Sequence, residues 1–275
     1  MHISTSVHSE RRNGLAAFAG GGAIGALGGL IGLGGAEFRL PLLIGYFGFP
    51  ALDAVILNKA TSLAVVASAL PFRAHVASVQ DIAGHWPVIV DLLTGSLLGA
   101  WLGADWATRI DRATLHRIIA VLLAAIAGLL LFGHGGHAGA AGLSGAPLMA
   151  AGAIAGLAIG VVASMLGVAG GELLIPTLVL LFGVDVKLAG SLSLTVSLPT
   201  MLVGFARYSR TANFAAINTN RRFLWLIVAG SLFGAFIGGR LLGVIPESIL
   251  LPSLSALLLV SAVKMWRHAL TRRSG

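Results

Sequence analysis

Cysteine is absent from the 275 residues, which excludes disulfides, thiolate metal ligands, a cysteine nucleophile and any scheme that hands a sulfur atom from thiol to thiol. Charge is also scarce. Only 10% of residues are charged, and 10 acids face 18 lysines and arginines, while 57% of residues are apolar and the mean hydropathy is +0.94. A water-soluble domain carries about 25% charged residues, so lipid is the solvent for most of this chain. Stretches such as 118–132 and 223–239 are apolar or small on every face, not on one stripe. A pI near 11.3 would suggest nucleic acid in a soluble protein. Here the basic residues sit in short loops between apolar spans, the positive-inside pattern, and no nucleic-acid partner is expected.

Residues 1–14 are polar and place Arg11 and Arg12 ahead of an apolar run that starts at Leu15. The run carries no convincing cleavage site and many spans follow it, so 15–33 reads as a retained first helix. Further apolar segments fall at 40–49, 54–72, 86–104, 114–132, 146–166, 173–183, 188–206, 223–243 and 248–266. A bilayer core needs roughly 20 helical residues, and 40–49 and 173–183 fall short of that. Each follows a glycine cluster and contains a proline, as a short, broken or re-entrant helix packed inside the protein would.

These two short elements repeat each other. The run from Gly32 to Pro41 lies 135 residues before the run from Gly167 to Pro176, and in that register Gly32, Gly35, Glu37, Pro41, Phe47 and Gly48 meet similar or identical residues. The chain therefore divides into a first repeat, 15–133, a Gly/Ala/His linker, 134–145, and a second repeat, 146–266, flanked by tails 1–14 and 267–275. Repeats of five elements each must lie in opposite orientations. With the N-terminus in the cytoplasm, Arg11, Arg12, Arg109, Arg112, Arg117, Arg207, Arg210, Arg221, Arg222, Lys264, Arg267, Arg272 and Arg273 fall inside. Only Arg39, Arg73, Lys187 and Arg240 fall outside, and Lys59 lies within a span. This bias predicts both termini in the cytoplasm and a multi-pass protein of the cytoplasmic membrane. The fold expected is all-α, with two inverted five-element repeats.

Inverted repeats with interrupted helices bind solutes where half-helix ends meet near the midplane. Unpaired N–H groups at a helix start suit an anion, and Gly34, Gly35, Gly170 and Gly171 would let backbone approach it, or would only permit tight packing. Lys59 is the most informative residue. A lysine central in a span costs about 2.5–3.5 kcal/mol unless it is paired or faces water, although a lysine nearer the end can snorkel. Asn58, Thr61 and Ser62 place neutral donors within a turn of it, and Ser191, Ser193 and Thr195 form a polar run in the equivalent element of the other half. Such hydroxyls commonly bond their own helix. Glu37 and Glu172 occupy matching positions, either as proton carriers or as supports of helix N-termini. Asp91 is a third candidate proton site. His134 and His137 lie in the Gly/Ala loop without acidic partners, so no metal or cofactor is expected.

At these residues the chain resembles the TauE/SafE family of sulfite-exporter-like transporters. The resemblance rests on the glycine-then-proline signature in both halves, on Ala60-Thr61-Ser62-Leu63, on Ser193 and the run from Leu198 to Gly204 followed by Arg207-Tyr208, and on the segment from Gly230 to Leu241. It implies a permease moving sulfite, sulfonates or related organic anions. Its partners would be a small anionic solute, the bilayer, a coupling ion such as H+ and a second copy in a homodimer. An anion channel shares the same polar pathway. An intramembrane enzyme would need an activated nucleophile or a metal, and no Ser-His or Asp-Asp constellation falls at matched depth.

Overall fold

The computed structural model describes residues 14–31, 35–73, 79–132, 143–184 and 186–240, with 256, 259–260, 262–263 and 266–267 beyond them. The described chain is all helical: Gly14–Ile31 (α1), Ala36–Gly45 (α2), Ala51–Arg73 (α3), Val79–Gly84 (α4), Trp86–Arg109 (α5), Arg112–Phe132 (α6), Ala146–Leu166 (α7), Gly171–Phe182 (α8), Val186–Tyr208 (α9), Ala215–Thr219 (α10) and Arg221–Arg240 (α11). No strand occurs among the described residues. In hydrocarbon every backbone group must be satisfied within its own segment, and a helix does this locally.

Five helices are long and apolar enough to cross a membrane, over Ala51–Ser68, Trp86–Arg109, Ala146–Leu166, Leu188–Tyr208 and Arg221–Gly238. The crossings expected at 15–33 and 114–132 are the helices α1 and α6, whose apolar stretches Gly14–Gly28 and Ala113–Ala125 are shorter. Most of the segment expected at 248–266 lies outside the described residues, as do most of the 134–145 linker and both tails. Large apolar side chains stay exposed on the outward faces, among them Leu98, Trp106, Ile154, Trp225, Phe233 and Phe236. On a multi-pass membrane protein these are lipid-facing positions.

Glycine ends and starts the helices that matter. Gly167 closes α7 and Gly170 opens α8, both left-handed (φ 67 and 82), and the connection takes only the residues between them. A Cβ at either would be strained, because L residues rarely adopt this conformation. Gly35 opens α2 in the same way (φ 66). The helix α2 begins four residues earlier than the apolar segment at 40–49 suggests, and that shift carries Glu37 and Arg39 into it. Arg39, counted above with the outer loops, is fully buried.

Two helix pairs are closed by glycine. A Cβ at Gly95, Gly99 or Gly103 of α5 would overlap the carbonyl oxygens of Ala153, Leu157 and Val161 of α7 respectively. A Cβ at Gly230, Gly234 or Gly238 of α11 would overlap those of Phe18, Gly22 and Ala26 of α1. Every residue in the second set lies 135 positions from its counterpart in the first. The reciprocal contacts obey the same offset: Gly156 and Gly160 meet the carbonyls of Leu92 and Ser96, and Gly21 and Gly25 those of Ile227 and Ser231. Without a hydrophobic drive between helices in lipid, such close backbone approach supplies the packing energy. Each pair joins one helix from either half of the chain.

Candidate solute-binding site at a helix break

The break between α7 and α8 is the centre of a buried polar cluster, and α3 supplies most of it. Asn58, Lys59, Thr61 and Ser62 are all buried, as are Arg39 on α2 and Ser164 on α7. Asn58 and Ser62 lie one turn apart on one face of α3, and Arg39 Nη1 donates to Asn58 Oδ1 and to Ser62 Oγ, both at 3.2 Å. The Asn58 amide in turn donates to the carbonyls of Ala36 (2.9 Å) and Leu166 (3.0 Å). Ser62 donates to the carbonyl of Gly167 at 3.4 Å. Asn58 thus ties the start of one short helix to the break before the other.

Lys59 points to the adjoining face. Its Nζ donates to Ser164 Oγ at 3.2 Å, and the Tyr208 hydroxyl donates to the Ser164 carbonyl at 2.9 Å. A Cβ on Gly204 would lie 2.5 Å from Ser164 Oγ and 2.9 Å from Lys59 Nζ, so the ammonium lies where only glycine leaves room for it. The ion pairs among the described residues both belong to Asp105, and none reaches Lys59. Glu37, buried in the first turn of α2, supplies the negative charge that acts on Arg39. The carbonyls at the end of α7 carry partial negative charge and favour cations nearby. A full charge in this surround still calls for an anion or for water.

The remaining expected site residues are distributed as follows. Gly35 and Gly170 are the N-caps of α2 and α8, and Gly171 is the first residue of α8. Neither helix start has a side-chain cap bond, so first-turn N–H groups remain as donors. Gly34 and the side chain of Glu172 lie outside the described residues. Thr61, Ser193 and Thr195 give their hydroxyl hydrogens to Leu57, Gly190 and Ser191 carbonyls, the back-bonding usual in membrane helices. The Ser191 hydroxyl is buried and makes no hydrogen bond among the described residues. Asp91 lies apart from the Lys59 cluster, beside Gly152 of α7 and Phe182 of α8.

The contribution of α9 beside Lys59 comes from Gly204 and Tyr208, not from Ser191, Ser193 or Thr195. Arg39, Ser164, Gly204 and Tyr208 are the participants that the polar pattern around Lys59 does not single out. Arg39 carries a signal, a cation two residues after Glu37 at the head of an otherwise apolar run. A second ionic cluster holds α5 to α9: Asp105 pairs with Arg207 and, at 2.7 Å, with Arg109, and Trp101 stacks under Arg207 and Arg210 at 5.6 and 5.3 Å.

No curated protein and no solved structure matches the chain. The family resemblance read from the sequence is shown over the second half of the chain, where residues 151–274 match the family model described as Sulfite exporter TauE/SafE.

Proposed function

We propose that the protein is a secondary transporter that carries a small anion, sulfite, a sulfonate or another organic anion, across the cytoplasmic membrane by alternating access. The observation that carries this reading is Lys59: a fully buried ammonium with a hydroxyl partner and no carboxylate partner among the described residues, set against a helix break from the opposite half of the chain. The cation and the uncapped first-turn N–H groups of α2 and α8 together are suited to an anion. The matched glycine contacts of α5 with α7 and of α11 with α1 support two inverted repeats, 15–133 and 146–266, linked by 134–145. Charge departs from that symmetry. At the repeat offset Glu37 meets Glu172, but Arg39, Lys59 and Asp91 meet Leu174, Leu194 and Leu226, so these three charges belong to the first half alone.

Two measurements test the proposal. Purified protein in liposomes is expected to take up sulfite and methanesulfonate saturably and in response to a gradient. Flux proportional to concentration with no saturation would instead favour a channel. The orientation is tested by single cysteines at Ser144 and Ala215, both exposed, in this cysteine-free chain. They should react with an impermeant maleimide from opposite sides of the membrane, with Ala215 cytoplasmic. Labelling of both from one side would overturn the inverted arrangement and the cytoplasmic placing of the 1–14 and 267–275 tails.

A further inference from the structure

The anion site leaves one buried acid unused. Asp91 lies in the first third of α5, is 8% exposed, and its Oδ2 is buried without a hydrogen bond or ion pair among the described residues. The space it occupies exists because residue 152 is glycine: a Cβ there would overlap Asp91 Oδ2 and come within 2.6 Å of the Phe182 ring. Phe182 packs in turn against an apolar cluster that includes Ile89, Leu92, Ile159, Leu178 and Val184. Membrane helices rarely hold an acid in such a place without using it.

Its position relative to the anion site follows from two contacts. Ser96 on α5 shares a hydrogen bond of 2.8 Å with Thr200 on α9, and Asp105 pairs with Arg207 further along both helices, so α5 and α9 run parallel. In that register Asp91 is level with Thr195 and one turn from Ser191, whose buried hydroxyl also makes no hydrogen bond among the described residues. Asp91 is five residues, ~7.5 Å along the axis, from the Ser96–Thr200 contact, and Gly204 against Lys59 is ~6 Å beyond Thr200. The two helices thus connect the acid to the cation.

We propose that Asp91 is the proton-carrying site that couples anion movement to a proton gradient, an inference that rests on the transporter reading above. An ionised carboxylate without a partner in an apolar surround is far costlier than a neutral acid, and one added proton removes the charge. In the conformation that opens this region to water, the carboxylate is hydrated and releases its proton. The Asp91 carboxylate and the Ser191 hydroxyl offer three oxygens, too few for a metal cation, which takes about six ligands. The titratable groups nearest along the chain are Asp81 and His85 ahead of α5, and His85 Nδ1 is bonded to the Asp81 carbonyl. Arg207 and Arg109 at the far end of the α5–α9 contact are engaged by Asp105. The side chains of Glu172 on α8 and Lys187 on α9 lie outside the described residues.

The test compares wild type, Asp91→Asn and Asp91→Glu in liposomes, with sulfite and methanesulfonate as probes. Methanesulfonate carries no titratable proton near neutral pH, so proton movement with it reports on the protein. Wild type should accumulate anion when a pH gradient is imposed, and an entrapped pH dye should show proton movement with it. Asp91→Asn should lose pH-driven accumulation about tenfold or more while anion exchange at equal pH stays within about twofold, and Asp91→Glu should restore the coupling. Accumulation by Asp91→Asn equal to wild type, or an equal loss of exchange and accumulation, would overturn the inference and leave the transporter reading standing. Wild-type protein that exchanges neither probe would overturn both.

Discussion

Lys59→Met is expected to abolish most anion binding while leaving the protein at least as stable as wild type. The two effects separate because, among the described residues, the ammonium has no carboxylate to leave stranded. Its hydrogen-bond partner is the Ser164 hydroxyl, and that hydroxyl keeps the option of bonding elsewhere. Removing one member of a buried ion pair costs about 3–5 kcal/mol because the other member is left uncompensated; here no such partner exists among the described residues. Methionine keeps the length and the packing against Gly204. A hydrogen bond to a charged group contributes about 1.5–3 kcal/mol, so anion affinity should fall roughly 10- to 100-fold. Lys59→Arg should not rescue fully, since a Cβ-sized intrusion at Gly204 already comes within 2.9 Å of Nζ and a planar guanidinium is larger. Thermal unfolding in detergent and saturation of flux with sulfite, measured on the same preparations, check both halves. Wild-type affinity in a stable Lys59→Met variant would remove Lys59 from the site and turn attention to Arg39.

Gly234→Val should have the opposite profile, a failure to assemble. The added branched side chain would overlap the carbonyl of Gly22 and crowd the amide of Ala26 at 2.8 Å, both backbone atoms of α1 that no rotamer change can move. The helices α1 and α11 would have to separate along the whole glycine seam, losing the close contact that holds them in lipid. Overpacking costs about 1–3 kcal/mol where side chains can yield, and here they cannot, so the yield of monodisperse protein should collapse. Gly99→Val, at the matching place in the α5–α7 seam, should behave alike. Gly128→Val in α6 is the control, because a Cβ there meets nothing within 4 Å. Size-exclusion profiles of the three variants in detergent decide the matter, and a monodisperse Gly234→Val with an unchanged melting temperature would contradict the seam.

Legibility differed by range along the chain. The helices themselves follow from local composition, because an apolar run in lipid has no better way to satisfy its backbone. The breaks at Gly35 and Gly170 were also legible, since the same glycine cluster recurs at the repeat offset and the two breaks corroborate each other, although Pro41 and Pro176 stand inside the helices that follow. The start of α2 was less so. Arg39 read as a loop charge by polarity, yet it is buried and bonded to Asn58, whereas Glu37 stands in the first turn of the short helix. The polar run in α9 drew attention to Ser191, Ser193 and Thr195, whereas the residues of α9 that meet Lys59 and its partner Ser164 are a glycine and a tyrosine.

By itself the sequence determined the solvent of this protein, the helical class, the duplicated break and the presence of a lysine too costly to sit idle in a span. Those are properties of single segments, and the energies involved, transfer to lipid and local backbone satisfaction, are set within a few turns. Only the tertiary structure decided the partners: Lys59 with Ser164 across 105 residues, Asn58 with Leu166 across 108, Ser96 with Thr200 across 104. It also decided that α5 closes on α7 and α11 on α1. Such contacts join segments whose periodicities are independent, so nothing local encodes which glycine faces which carbonyl; packing of the whole bundle does.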